Sequence, residues 1–566
     1  MAHADVLPIL ATRSSQGVTL IQGKNGFTEN VVCMEDLTSH ARNLVFSCDG
    51  KYQAYCDGVN LKVISMDNGE IVFSVPKQKT TEIVFSPNNT YIACWEPFYT
   101  SPKNPDGSPN YDIYNIKTGA LMRSVIYKNQ SGWAPSWTSD EKLNGRCVNN
   151  EVQFFSGDDF YTSATKLYLP NVFGFTFSPS PSLPYMVAAH AVGKKGSPSF
   201  VRLFEYPKLG DNQAVANKSF FKADKVEMIW NKKGSALLIM VSAEVDTTGS
   251  SYYGETSLHF MSTKGESSLV PFDKRGPVYS VDWNPNSTMF CVVFGFMPAK
   301  ATLFNTKCEP IFDFGTGPRN ICKFNFHGNI LCLAGFGNLN GAMEMWNVDG
   351  RKIISKPQAR DTTYFEWCPD GQHFITSTLS PRLRVSNGYK IWHFSGKMIH
   401  SVDSKELYQT TWQPYPDGSF PAPKLSGVVV QAEVKKEVYR PPSARDTPVK
   451  KLLLHDEEPP ENQRNSENLS AAAIKNKKKR ENKSKSKQEG VSNGSNKLSE
   501  DPTNNLSVST GDPEIDKKIK GIKKKLKQIE DLKKNQKDGK VLEKNQLDKL
   551  SSEKNLLDEL RSLQLK

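Results

Sequence analysis

Thr363-Tyr364-Phe365-Glu366-Trp367-Cys368-Pro369-Asp370-Gly371-Gln372-His373-Phe374-Ile375-Thr376 reads as two strands joined by a tight turn. Proline at the first central turn position fixes φ, and Asp370 and Gly371 accept the geometry that a short reversal needs. An aromatic residue closes the first strand and alternation resumes after the turn, so the two runs lie antiparallel as a β-hairpin.

The same hairpin recurs along the chain. Its anchors are Phe46, Phe85, Trp137, Phe177, Trp230, Trp283, Phe324, Trp367 and Trp412, each followed within four residues by Ser, Pro, Asn, Asp or Gly. Neighbouring anchors stand 39, 52, 40, 53, 53, 41, 43 and 45 residues apart, the period of a four-stranded propeller blade. A second hairpin follows each anchor, as in Asp112-Ile-Tyr-Asn-Ile-Lys-Thr-Gly119 and Glu344-Met-Trp-Asn-Val-Asp-Gly350. Blades bury their apolar faces only by stacking, so the ring must close. Few strand residues follow Trp412, and Val18-Thr-Leu-Ile21 with its neighbours is expected to complete the ninth blade. Phe324, which lacks the turn proline, is the weakest anchor; if one anchor belongs to an inserted loop, the ring has seven or eight blades. The expectation is an all-β, nine-bladed, WD40-like propeller over residues 1–430.

Beyond it the composition changes. Residues 431–510 are rich in Pro, Ser, Asn and Lys and read as a disordered linker. They carry a basic run at Lys475, Lys477, Lys478, Lys479 and Arg480, which suits either a phosphate backbone or a nuclear-import signal. Residues 511–566 restart with Asp512-Pro513-Glu514, a strong helix opening. Ile515, Ile519, Ile522, Leu526 and Ile529 form an apolar seam, with Lys517, Lys518, Lys520, Lys523, Lys524 and Lys525 on the other faces. After Gly539 a leucine-rich helix makes a helical hairpin, either self-contained or docked on a partner. Residues 431–566 hold 32 Lys and Arg against 23 Asp and Glu, most of the chain's net +12. A basic tail on a near-neutral propeller favours a polyanionic partner, nucleic acid first; the plain alternative is that lysine keeps the tail soluble.

No enzymatic constellation survives inspection. Gly490-Val-Ser-Asn-Gly494 has the nucleophile spacing but sits in the linker, without the strand–turn–helix that would expose its serine. Gly335-Phe-Gly337 opens no helix, and no Gly-x-x-x-x-Gly-Lys-Ser/Thr is present. Nine scattered histidines give no metal spacing, and the ten cysteines, without a Cys-x-x-Cys pair, read as small buried hydrophobes in a reducing compartment. No catalytic residue, metal or cofactor is expected. No apolar run approaches the length of a membrane span, and no secretory leader is expected. Basic residues interleaved with aromatics stand out instead: Lys218, Lys222 and Lys225 around Phe220 and Phe221, and Arg382, Arg384 and Lys390 around Tyr389. They suit phosphate contact and base stacking, or else the aromatics are blade core and the cations solvated.

Asn217-Lys-Ser-Phe-Phe-Lys-Ala-Asp-Lys225, Gly295-Phe-Met-Pro-Ala-Lys-Ala301, Phe312-Asp-Phe-Gly-Thr-Gly-Pro-Arg-Asn320, Leu333-Ala-Gly-Phe-Gly-Asn338, Asn387-Gly-Tyr-Lys-Ile-Trp-His393 and Gly511-Asp-Pro-Glu-Ile-Asp-Lys-Lys-Ile-Lys520 resemble the eukaryotic translation initiation factor 2A family, the single-chain factor. That resemblance implies a cytoplasmic, non-enzymatic protein that binds the small (40S) ribosomal subunit and promotes GTP-independent, start-codon-directed binding of initiator methionyl-tRNA, including at non-AUG or stress-specific sites. Arg319, inside one of these stretches, completes the candidate contacts, and mRNA and other initiation factors, through the C-terminal helices, are further expected partners. The alternatives are a WD-repeat scaffold that touches no RNA, and a propeller-linked hydrolase, for which no second globular domain remains.

Overall fold

A computed structural model describes residues 7–38, 41–102, 104–181, 183–193, 197–210, 212–221, 223–243 and 254–425, with Ile529 and Glu553, both helical. The linker and helical hairpin expected over 431–510 and 511–566 otherwise lie outside the described residues, as do Lys222 and every lysine and arginine candidate from Lys475 to Lys525.

The described strands form nine four-stranded antiparallel sheets. Blades 1 to 8 are continuous: 42–76, 82–125, 136–168, 172–220, 225–269, 278–317, 321–355 and 364–403. Blade 9 joins Leu407–Trp412 to Ile9–Ser14, Gly17–Lys24 and Glu29–Asp36. The first strands of neighbouring blades touch, for example Arg42–Phe46 with Glu82–Phe85 and Val278–Trp283 with Ile321–Phe324, so these strands ring the axis. Each of the nine anchors is the last residue of such an inner strand. Phe324 is no exception: a complete blade follows it, which settles the count at nine.

The repeat works because each anchor serves two blades. All but Phe46 and Trp230 are buried. The Trp283 indole donates to the carbonyl of Ile229 (3.0 Å) and the Trp367 indole to that of Lys323 (3.0 Å), each in the preceding blade. The residue after the anchor reaches forward. Asn284 donates to the Gly328 carbonyl (2.8 Å), Asn325 to that of Gly371 (3.0 Å) and Gln413 to that of Gly50 (2.8 Å). The last of these bonds links blade 9 to blade 1, so the ring closes with the same contact that repeats inside it. An acid before the anchor does likewise: Asp282 accepts from the Phe324 amide (2.8 Å) and Glu366 from the Trp412 amide (3.3 Å). Closure itself is a strand pairing, Leu10 opposite Trp412 and Thr12 opposite Thr410, sealed by the buried cluster of Leu10, Phe27, Ile375 and Trp412.

Because the strands alternate in direction, the ring has two unlike sides. Turns between strands one and two, and three and four, make the turn side; loops between strands two and three, and from each outer strand to the next inner strand, make the loop side. After Trp412 the chain crosses the turn side. Asp417 pairs with Lys232 of blade 5 (2.5 Å). The carbonyls of Phe420 and Pro423 meet His327 (3.0 Å) and Asn329 (3.3 Å) of blade 7, and Leu425 packs between blades 7 and 8.

Seven of the ten cysteines are buried, as expected, whereas Cys33 and Cys48 are exposed and Cys147 is part-buried; all are free thiols. Among the described residues no helix is long and apolar enough to cross a membrane.

Candidate nucleic-acid interface

The described candidates converge on one side. Lys218 lies near the loop-side end of the outer strand Ala214–Phe220, and Lys225 opens the next inner strand, paired with Glu227. Arg382 and Arg384 stand in the loop between His373–Thr378 and Gly388–His393, and Lys390 follows at the start of the latter. Arg319 sits between Pro310–Gly317 and Ile321–Phe324, also on the loop side, but it turns inward. It is only 6% exposed, and its guanidinium lies 3.2 Å from Glu344. Gly317 makes room for it, since a Cβ there would stand 2.8 Å from Arg319 Nη2. Arg319 therefore ties blade 6 to blade 7 and offers no surface to a ligand, which corrects its place among the candidate contacts.

The structure adds cations that the sequence reading did not single out. A cleft of about 370 Å3 at the inner rim is lined by Arg13, Arg42, Asn43, Thr81, Glu82 and Gln409. Arg13 donates to Gln409 (3.3 Å) and to the Ala41 carbonyl (3.1 Å), and lies 5.3 Å over the Tyr408 ring. Burial pushes its pKa down, opposed by Tyr408. Arg384 acts electrostatically on the same tyrosine, so arginines from blades 8 and 9 meet there, with Arg42 of blade 1 beside Arg13. Between blades 7 and 8 a second cleft, about 170 Å3, holds Arg360 and Lys390 among Thr376, Thr378 and two aspartates, Asp361 and Asp403. Among the described residues none of Arg42, Arg360, Arg382 and Arg384 has a carboxylate within ion-pair distance.

Aromatics accompany them. Lys79 lies 4.6 Å over Tyr99, which is 64% exposed, and Lys128 lies 5.3 Å over Phe98. Phe221, 71% exposed, projects from the loop between Lys218 and Lys225. The turn side of blades 1 and 3 has the opposite balance, Asp49, Asp67, Asp140, Glu141, Asp158 and Asp159 outnumbering Lys51 and Lys142. A loop side of arginines and exposed rings can bind phosphates bidentately and stack bases. Among the described residues no His, Cys, Asp and Glu grouping is placed to hold a metal. A sequence signal for Arg42 and Arg360 did exist, four and seven residues ahead of the anchors Phe46 and Trp367, because that count fixes the side on which a residue emerges.

Fold and site together define a nine-bladed propeller whose loop side gathers arginines. A family model described as eukaryotic translation initiation factor eIF2A matches residues 218–410. Eukaryotic translation initiation factor 2A of Drosophila melanogaster is 41% identical over 466 residues, covering 78% of this chain and 73% of its own. That of Schizosaccharomyces pombe is 34% identical over 457 residues, covering 77% and 78%. A solved structure described as the crystal structure of the eukaryotic initiation factor superposes with a TM-score of 0.65 at 31% identity, over 73% of this chain and all of that one. The chain belongs to the eukaryotic translation initiation factor 2A family. It is a translation initiation factor, and its relatives are propeller-based initiation factors rather than enzymes.

Proposed function

We propose that this factor binds the small (40S) ribosomal subunit through the loop side of its propeller and promotes GTP-independent, start-codon-directed binding of initiator methionyl-tRNA, including at non-AUG or stress-specific start sites, in the cytoplasm. The observation that carries the reading is the gathering of Arg13, Arg42, Arg360, Arg382 and Arg384 on one side of the ring, with exposed Tyr99 and Phe221 on other blades of the same side. The absence of a P-loop from the full sequence supports independence from GTP.

The tail from Lys475 to Lys525 supplies the second contact, to tRNA or mRNA, and the C-terminal segment after it meets other initiation factors. Two weak contacts on one chain raise effective concentration and give avidity. Binding of labelled initiator tRNA, and separately of small subunits, is measured across a salt series for the full chain, for Arg382→Glu/Arg384→Glu, and for a variant with Lys475, Lys477, Lys478 and Lys479 changed to glutamine. Subunit affinity should fall in the arginine variant, and its salt slope should shrink by about one unit for each phosphate no longer neutralised. The tail variant should lose tRNA binding first. Unchanged slopes in both variants refute the assignment and favour a scaffold that meets only proteins.

A further inference from the structure

Two arginines are buried among the described residues, and one of them, Arg319, is answered by Glu344. The other lies in the seam between blades 2 and 3. Arg123, on the outer strand Leu121–Val125, is 8% exposed, and its Nε and Nη1 have no hydrogen-bond partner among the described residues. Its guanidinium lies 5.3 Å over Phe155 and 5.1 Å over Tyr161. Arg146, from Leu143–Val148 of blade 3, lies 5.6 Å over the same Phe155 ring, and its Nε is likewise unpartnered. Burial lowers the pKa of both, and repulsion from Arg123 lowers that of Arg146 further.

Two more donors share this wall. Asn144, opposite Trp137 on one neighbour and Phe155 on the other, has an unpartnered amide nitrogen, and the Trp137 indole nitrogen has no acceptor. All of these orphaned atoms are donors. The carboxylates nearby make no hydrogen bond to either guanidinium: Asp159 takes the amides of Tyr161 (2.8 Å) and Thr162 (2.9 Å) on one oxygen and acts on Arg123 only through its charge, and Glu151 takes Gln153 and Lys166 (3.0 Å). The hydroxyl of Tyr127 donates to Gly132. Buried Tyr111, between the two arginines electrostatically, holds its proton, its pKa pushed up by burial. Ring faces soften the desolvation of a guanidinium but satisfy none of its N–H groups. Two cations and two neutral donors without an acceptor are the complement of an oxyanion.

We infer that the seam between blades 2 and 3 is a phosphate-class oxyanion site, with the Arg123 and Arg146 guanidiniums as its charge and Asn144 and Trp137 as neutral donors. Phe155 and Tyr161 make a planar wall beside it, and Tyr161, largely exposed, is its outer edge. The site is independent of the loop-side interface and uses none of its residues.

The test is the thermal midpoint of the full chain titrated with inorganic phosphate, ionic strength held constant with chloride. A parallel titration uses an oligoribonucleotide lacking terminal phosphates. The midpoint should rise and saturate with ligand. A rise with phosphate but not the oligonucleotide identifies a free phosphate or nucleotide as the occupant; a rise with the oligonucleotide that Arg123→Met and Arg146→Met abolish identifies an RNA phosphodiester at this seam, because the loop side and the tail keep their own cations in both variants. Arg123→Met and Arg146→Met keep the packing stems on Phe155. Each should melt no lower than the parent without ligand, because an uncompensated buried charge is gone, and should bind phosphate at least about tenfold more weakly. A parent midpoint that responds to neither probe overturns the assignment, as does a response preserved in both variants.

Discussion

Glu366 lies on the inner strand Tyr364–Trp367 and faces blade 9, where it accepts from the Tyr364 hydroxyl (3.0 Å), the Trp412 amide (3.3 Å) and the Thr411 hydroxyl (3.4 Å). Burial outweighs these donors and lifts its pKa to about 7. Between its ordinary value of 4.5 and about 7 the folded state therefore holds a proton that the unfolded chain has released. Stability then falls as pH rises through that window and levels off above it. The full displacement corresponds to about 3 kcal/mol, and water reaching this half-buried carboxyl trims that to about 2 kcal/mol. Glu366→Gln keeps an acceptor for the Trp412 amide and abolishes the titration. Urea unfolding of parent and variant, followed by tryptophan fluorescence at pH 5, 6, 7 and 8, isolates this one group. His190, His259 and His393, each pushed down to about 4, contribute equally to both proteins. The variant's advantage should grow by about 2 kcal/mol from pH 5 to pH 8, a midpoint difference on the order of 0.5 M urea. A difference that stays flat across the series means that Glu366 does not titrate there, and refutes the reasoning.

Three further outcomes follow from packing. Asn325 is fully buried and holds the Gly371 carbonyl, the Asn329 side chain (2.9 Å) and the Ile330 amide (3.1 Å); Asn325→Leu should cost about 2–4 kcal/mol, read as a lower urea midpoint. Gly50 has φ +72° and faces the Pro414 carbonyl, 2.0 Å from where a Cβ would stand; Gly50→Ala should cost more than about 1 kcal/mol and speed proteolysis at the N-terminal strands, because it strains the closing seam. Lys77 pairs with buried Asp112; Lys77→Met should cost about 3–5 kcal/mol, and adding Asp112→Leu should recover most of it in the same unfolding assay.

The ring was readable in the chain because its information is local. Every anchor aromatic, with the turn that follows, announces an inner strand, and even Phe324, without its proline, kept Asn325 and Gly328 at the spacing that bonds neighbouring turns. The expectation that Val18-Thr-Leu-Ile21 completes blade 9 rested on counting strands after Trp412, and the pairing of Leu10 with Trp412 is what that count required. The site was less legible because it depends on neighbours remote in sequence. Arg319 looked like Arg382 until Glu344, on the third strand of the next blade, drew it inside. Arg13 and Arg42 belong to different blades and become one surface only when the ring closes. The Arg123 and Arg146 seam carried no local signal, since each residue alone is an ordinary strand cation.

Closure by strands from both ends of the propeller also sets a timetable. Arg13 and its partner Gln409 are 396 residues apart in the chain, so at synthesis rates of about 5–20 residues per second the first three strands wait roughly 20–80 seconds for the fourth. During that interval Ile9–Ser14 presents an unpaired edge, the kind of surface that recruits foreign strands. Blades 1 to 8 each draw on contiguous sequence, whereas blade 9 needs both ends of the ring. The translation machinery that this factor serves thus holds its own product incomplete for most of a minute, and Trp412 is the residue that ends the wait.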